Sequence, residues 1–399
     1  MLPANAREGH TRVLQKMRLA EGIAESSPFN RVEDLGKKGD IGIIASGPAY
    51  LYLMEFADDL AGKILRLGLT NPLPKTKLTQ FLRSAKRVVV LEELEPYLED
   101  QVRALANEFD IRVDVYGKAQ GLVPRTGELD PDLVAEALVR LEMLDPKTVQ
   151  RLRDTKLPKV PIRPPILCPG CGHRGVAYAA RQATRRQDVL FPVDIGCYSL
   201  VEYPPTATGD ILLCMGSSIG TAAGLAATTD KKVLAFIGDS TFYHAGIPAL
   251  IHAVHQDLTM TVCIMDNGTT AMTGHQPHPG IAEGGHPAVD MEGLVRACGV
   301  KAVETYDAYD VKALTKAFRR ALEREGVSVV IARHECRLLE LREMKAANEP
   351  LVLYQVVPEK CTKCGFCIDA FACPALIRLE DESVTIDPAL CNGCGVCVE

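Results

Sequence analysis

Four near-continuous apolar runs in the second half of the chain restrict its fold more than any other feature. They are residues 188–196 (DVLFPVDIG), 231–239 (KKVLAFIGD), 258–267 (LTMTVCIMDN) and 326–335 (GVSVVIARHE). A strand apolar on both faces is buried on both faces, which is the condition of a parallel sheet covered by helices. Each run ends in polar residues, and the carboxyl ends of such strands are where open α/β sheets present ligands. Residues 166–345 are therefore expected to form a parallel-sheet α/β domain whose chemistry lies along one sheet edge.

The first half carries a smaller version of the same alternation. Residues 1–38 are polar and helix-leaning and read as a helical linker segment. Residues 39–125 hold three short strand signals, at the start of DIGIIASGP and in RVVVLEEL (87–94) and IRVDVYG (111–117), with helical text between them. A second α/β domain is expected there. Residues 126–165 read as a connector, a charged helical stretch followed by the proline-rich KLPKVPIRPP.

Composition excludes several classes of function. The net charge of −6 gives no basic patch for nucleic acid. The uncharged run 211–229 has the length of a membrane span, but Gly216, Gly220 and Gly224 interrupt it, so a loop and packed helix are expected. The N-terminus is polar and lacks the apolar region of a secretory signal. Fourteen cysteines without such a signal read as a reduced, metal-loaded, cytoplasmic protein.

Half of those cysteines crowd the end of the chain. Cys361, Cys364, Cys367 and Cys373 are followed by Pro374, and Cys391, Cys394 and Cys397 form a second run. This is bacterial-ferredoxin spacing, in which the cysteine before proline ligates the other cluster. Residues 352–399 are expected to form a small α+β ferredoxin-like domain for two [4Fe–4S] clusters, with Cys373 completing the set of Cys391, Cys394 and Cys397. An eighth cysteine would fall at about position 401, beyond Glu399. The trio Cys361, Cys364 and Cys367 then has three protein ligands, which favours a labile or [3Fe–4S] site.

A second constellation sits at the strand ends. Gly238-Asp239-Ser240-Thr241 closes one apolar run, and Asp266-Asn267 closes the next, before Gly268, Thr269 and Thr270. Mg²⁺ takes oxygen ligands and commonly shares them with a diphosphate. Asp239, the Asn267 amide oxygen and a carbonyl near Thr269 would supply such a half-shell, while the N–H groups after Asp239 face a phosphate. Cys168 and Cys171 form a C-x2-C beside His173, which fits zinc, a redox dithiol or a cluster. Cys197 and Cys336 lie near strand ends that converge on the same edge. Cys214, Cys263 and Cys298 read as small core residues. His173, His275, His278 and His286 are the candidates for proton transfer or for binding a substrate carboxylate. Met215 is read first as an apolar core contact and second as a residue that bends a cofactor.

The order of LCPGCGHRG (167–175), DIGCYSL (194–200), CMGSSIG (214–220), IGDST (237–241) and DNGTTAMTGHQPHP (266–279) resembles the 2-oxoacid:ferredoxin oxidoreductases. The last motif looks most like their indolepyruvate-type α subunits. The resemblance covers nearly the whole chain, and Gly238-Asp239 with Asn267 is similar to the thiamine diphosphate motif, with Ser240 in place of its third glycine. It implies a thiamine diphosphate-binding domain at 166–345, a transketolase C-terminal-like domain at 39–125, and a cofactor site at Met215, Gly216, Gly238, Asp239, Ser240, Thr241, Asn267 and Thr269. It also implies a proximal [4Fe–4S] cluster on Cys168, Cys171, Cys197 and Cys336.

The implied activity is oxidative decarboxylation of an aryl 2-oxoacid. The acyl group passes to coenzyme A, and single electrons pass through the clusters to ferredoxin. Implied partners are a smaller β subunit and a pyrimidine-binding domain, supplied upstream or by another chain and absent from this sequence. A pyruvate or 2-oxoglutarate enzyme and a non-catalytic electron-transfer module are the competing readings.

Overall fold

The computed structural model describes residues 3–37, 39–154, 160 and 164–398. It comprises two compact units, Met1–Pro161 and Ile162–Glu399.

The first unit runs α1 (Pro3–Ser26), β1 (Arg31–Asp34), β2 (Ile41–Ser46), α2 (Pro48–Met54), β3 (Lys63–Leu67), α3 (Lys75–Arg83), β4 (Arg87–Leu91), α4 (Tyr97–Glu108), β5 (Asp114–Tyr116), α5 (Pro131–Arg140) and α6 (Pro146–Asp154). Its sheet has the order β1-β3-β2-β4-β5 and is parallel except for β1, which pairs antiparallel with β3 at the edge. Successive residues point to opposite faces. Ile43 therefore packs with α2 and α5 residues such as Leu53 and Leu138, whereas Ile44 packs with α3 and α4 residues such as Leu78 and Val102.

Three readings change here. Residues 1–38 are not only a helical linker, because they end in strand β1. β3 lacks a sequence signal, being short and carrying Lys63 and Arg66. The helical part of the 126–165 connector belongs to this unit's core: Val134, Ala135 and Leu138 of α5 are fully buried. Asp130 caps α5 by accepting from Leu133 N at 2.7 Å.

The second unit runs α7 (Gly172–Ala183), β6 (Val189–Leu190), a 3₁₀ turn (Cys197–Glu202), α8 (Ser218–Thr228), β7 (Lys232–Gly238) and α9 (Asp239–Thr241). α9 continues through a π turn (Phe242–Gly246) into α10 (Ile247–His255). Then come β8 (Met260–Asp266), α11 (Met291–Ala297), β9 (Ala302–Asp307), α12 (Val311–Glu323), β10 (Val327–Arg333), α13 (Arg337–Ala346) and the short hairpin β11 (Leu376–Arg378) and β12 (Val384–Ile386). The sheet order is β6-β7-β8-β10-β9, all parallel.

The 188–196 run gives only the two-residue β6. Pro192 has no N–H to donate, and its carbonyl instead accepts from Phe236 N at 2.9 Å. β9 escaped the sequence reading because it is an edge strand with alternating burial. Gly238 pairs with Met265 and Asp266 with Arg333, so β7, β8 and β10 end level. That register delivers Asp239, Asn267 and the 334–336 turn to one edge.

The 352–398 segment contributes the β11–β12 hairpin and short turns, and it packs into this unit. Val396 is buried in the main core, and the Phe371 ring meets Tyr178 edge-on at 5.6 Å. Among the described residues no helix is long and apolar enough to cross a membrane.

Candidate functional site

Asp239 leaves β7 where the chain turns into α9, and it is nearly buried, at 3% exposure. Its Oδ1 accepts from Ser240 N at 2.7 Å, and its Oδ2 accepts from Asn267 N at 3.0 Å. The Ser240 N–H is therefore used within the protein and does not face a phosphate, which corrects the sequence reading. The Ser240 hydroxyl in turn accepts from the Thr270 hydroxyl at 2.9 Å.

The Asn267 side chain reaches Thr269 O at 2.7 Å and Asp239 Oδ2 at 3.2 Å. With its oxygen turned to them, three oxygens converge without a proton between them, which a cation reconciles; with its nitrogen turned to them, it donates to both. The donor set fits Mg²⁺, a hard cation that takes carboxylate, amide and carbonyl oxygens.

His278 stands on the other side of this carboxylate. Its Nδ1 accepts from Gly280 N at 3.1 Å, which leaves the proton on Nε2, 3.0 Å from Asp239 Oδ2. Both ring nitrogens are thus committed, and the Tyr243 ring stacks on the imidazole at 5.6 Å. The geometry makes His278 a positioning residue for Asp239 rather than a proton carrier.

A cavity of about 90 Å³ opens beside Asp239, with Met215, Tyr198, Thr241, Asn267 and Thr269 in its walls. Met215 is 41% exposed and faces this cavity, so it is not a core contact. The loop behind it needs glycine: Gly216 has φ +92°, and a Cβ there would lie 2.5 Å from Ala245 Cβ. A Cβ on Gly238 would lie 2.6 Å from the Tyr198 ring. Tyr198, which the sequence reading did not single out, thereby fixes the strand end against the 3₁₀ turn.

His173 borders this cavity and a second one. It is buried, meets Tyr198 edge-on at 5.6 Å, and neither ring nitrogen has a partner in the structure. Burial pushes its pKa down to about 4, so the ring is neutral near pH 7.

The second cavity, of about 310 Å³, is walled by Cys168, Cys171, Cys197 and Cys336 together. Burial raises the Cys168 and Cys197 thiols and pushes Cys171 up to about 12. Among the described residues no three His, Cys, Asp or Glu side chains converge on one point as a single ion requires. The four thiols surround a volume instead, as the ligands of a polynuclear cluster do. Cys336 N donates to Asn267 O at 2.9 Å, tying the two cavities together. His275 falls on the cysteine side, its Nε2 3.7 Å from Cys336 Sγ, and His286 lies on an exposed loop. Of the three cysteines read as core, Cys263 is buried, Cys298 is half-buried and Cys214 is exposed.

Cys373, Cys391, Cys394 and Cys397 line a third, narrow void of about 30 Å³. Burial pushes Cys397 up to about 11. Cys364 lies at the surface, its thiol lowered by the Phe366 N–H and the Thr362 hydroxyl. Buried Arg174 and Arg337 flank the inner cysteines. A single arginine beside a C-x2-C has no periodic signature, and the sequence reading passed over both.

Residues 194–332 match the family model described as "Thiamine pyrophosphate enzyme, C-terminal TPP binding domain". Indolepyruvate oxidoreductase subunit IorA of Methanothermobacter marburgensis is 40% identical over 409 residues, covering 100% of this chain and 64% of its own length. A 2-oxoacid:ferredoxin oxidoreductase subunit beta from Sulfolobus sp. is 26% identical across 42% of this chain and 61% of its own. A solved 2-oxoglutarate:ferredoxin oxidoreductase from Magnetococcus marinus aligns with TM-score 0.39 and 24% identity, over 45% of this chain and 66% of that one. Along its whole length the chain is similar to indolepyruvate oxidoreductase IorA subunits, and it spans 64% of the length of the relative from M. marburgensis.

Proposed function

We propose that this chain is the cofactor-bearing part of an indolepyruvate-type oxidoreductase, which oxidatively decarboxylates an aryl 2-oxoacid to an acyl-CoA and passes the electrons to ferredoxin. One observation carries the reading. An oxygen half-shell and a cavity walled by four cysteines adjoin at the ends of β7, β8 and β10, joined by the Cys336 N–H to Asn267 O bond.

Asp239, the Asn267 side-chain oxygen and the Thr269 carbonyl would hold Mg²⁺. Met215, Gly216, Gly238, Ser240 and Thr241 would surround the diphosphate cofactor. When bound, thiamine diphosphate supplies the electron sink for decarboxylation. The chain's own residues set the stage for that chemistry. Asp239 is fixed by two backbone N–H groups and His278. Tyr198 and Met215 form part of the pocket wall. His173, neutral and unpartnered, offers one N–H and one lone pair to the groups that meet there. His275 is placed to act at the Cys336 thiol, so His173 is the candidate for proton transfer.

Cys168, Cys171, Cys197 and Cys336 would hold a proximal [4Fe–4S] cluster. Cys373, Cys391, Cys394 and Cys397 would hold a second, and Cys361, Cys364 and Cys367 a third, outer site. A smaller β subunit and a pyrimidine-binding domain complete the proposed enzyme, with cytoplasmic location. The test is anaerobic reconstitution with iron, sulfide, Mg²⁺ and thiamine diphosphate, with those partners supplied. Indolepyruvate-dependent viologen reduction and about eleven to twelve irons per chain are expected. About eight irons would remove the proximal cluster. Intact cluster spectra without thiamine diphosphate binding would leave an electron-transfer module instead.

A further inference from the structure

Arg174 is a buried cation without a carboxylate. It lies in the first turn of α7 at 6% exposure. Its Nη1 donates to Ala372 O at 2.6 Å and Phe371 O at 3.3 Å, its Nη2 donates to Leu167 O at 2.5 Å, and its Nε has no partner. Among the described residues no carboxylate pairs with it. Arg174 lines the narrow void that Cys171 of one inner cysteine set and Cys373, Cys391, Cys394 and Cys397 of the other also line. Burial lowers its pKa, and the thiols of Cys373, Cys171, Cys168 and Cys394 oppose that shift. Arg337, the neighbouring buried arginine, is different, because its Nη1 meets Glu340 Oε2 at 2.7 Å.

Burying a charge costs several kcal/mol unless a counter-charge repays it. For Arg174 the counter-charges within reach are the cysteine sulfurs, and they carry full negative charge only as thiolates bound to metal. Net charge around a cluster is one of the main determinants of its reduction potential.

We propose that Arg174 is an electrostatic positioning residue shared by the two inner cysteine sites, and that its charge holds the reduction potential of the cluster at Cys373, Cys391, Cys394 and Cys397 above what its thiolates alone would give. The inference rests on the cluster assignment proposed above. Adding an electron to an anionic cluster is eased by a fixed cation beside it, and the cation's location between the sets makes this inner site a favoured acceptor.

The test is an EPR-monitored redox titration of the anaerobically reconstituted full chain, comparing wild type with R174M, R174Q and R174K. The neutral variants are expected to make reduction of this cluster about tenfold less favourable, a midpoint about 59 mV lower for one electron. R174K is expected to stay near the wild-type midpoint. An unmoved midpoint in an iron-replete neutral variant, or an equal fall in R174K, overturns the proposal. If neither neutral variant retains this cluster, retention in R174K supports charge pairing, and loss in R174K as well overturns it in favour of packing. A wild-type chain with no cluster signal overturns the cluster assignment itself; full wild-type signals with unmoved variants overturn only the role of Arg174.

Discussion

The His278 imidazole donates its Nε2 proton to Asp239 Oδ2 at 3.0 Å, while its Nδ1 is held by Gly280 N–H at 3.1 Å. The ring therefore has one tautomer and one orientation, and it aims the Asp239 carboxylate at the Asn267 amide. Partners that orient a metal ligand typically contribute 10–100-fold to metal affinity. His278→Phe is expected to weaken Mg²⁺–thiamine diphosphate binding by about that factor, read by isothermal titration. Unchanged affinity would show that the backbone N–H groups of Ser240 and Asn267 suffice to hold Asp239.

Gly216 meets Ala245 across the loop behind Met215. Gly216→Ala adds a Cβ 2.5 Å from Ala245 Cβ in a backbone with φ +92°. The expected loss is about 1–3 kcal/mol in urea unfolding. The double variant with Ala245→Gly should recover the steric share and leave the backbone cost. No recovery would mean that strain at the positive φ accounts for the whole loss.

Cys373 shares its void with Cys391, Cys394 and Cys397, although it follows the first cysteine run in sequence. Cys373→Ser should alter the EPR signature of the inner cluster and spare the outer site of Cys361, Cys364 and Cys367, while Cys364→Ser should do the reverse. Matching spectral changes in the two variants would place Cys373 with its own run.

Asp194 is fully buried and accepts from Ser218 N at 2.9 Å and Ser218 Oγ at 2.7 Å at the start of α8. Burial raises its carboxyl pKa above the ordinary value, although the bonds from Ser218 oppose this. Through the interval between the ordinary and raised values the folded state binds more protons than the unfolded one, so this group's contribution falls as pH rises. Asp194→Asn cannot ionise, and its stability measured in urea from pH 4 to pH 8 should lack that fall. Parallel curves for variant and wild type would assign the pH dependence to other groups.

The apolar runs at 231–239, 258–267 and 326–335 are legible as buried strands because a parallel sheet leaves its mark residue by residue. β1, β3 and β9 are not: β1 and β9 are edge strands, and β3 is short and carries Lys63 and Arg66, so their charged or alternating side chains look like loop or helix text. The same division runs through the site. Asp239 and Asn267 stand at the ends of recognisable strands, so their meeting follows once the strands are parallel neighbours. His278 gives no sign that it serves Asp239, because the ten residues between Asn267 and His278 set its path back. Met215 reads as core by its chemistry and proves to face a cavity.

The sequence by itself determined the parallel α/β architecture, the spacing of the cysteine runs and the pairing of a strand-end carboxylate with a strand-end amide, because all of these are written in local periodicity or fixed intervals. Only the tertiary structure decided that Met215 faces a cavity, which histidine stays unpartnered, and where Arg174 lies between two thiol sets. Those relations join residues far apart in the chain, and they exist only because the register of β7, β8 and β10, with Val396 and Phe371 packed against α7, brings the distant segments to one edge.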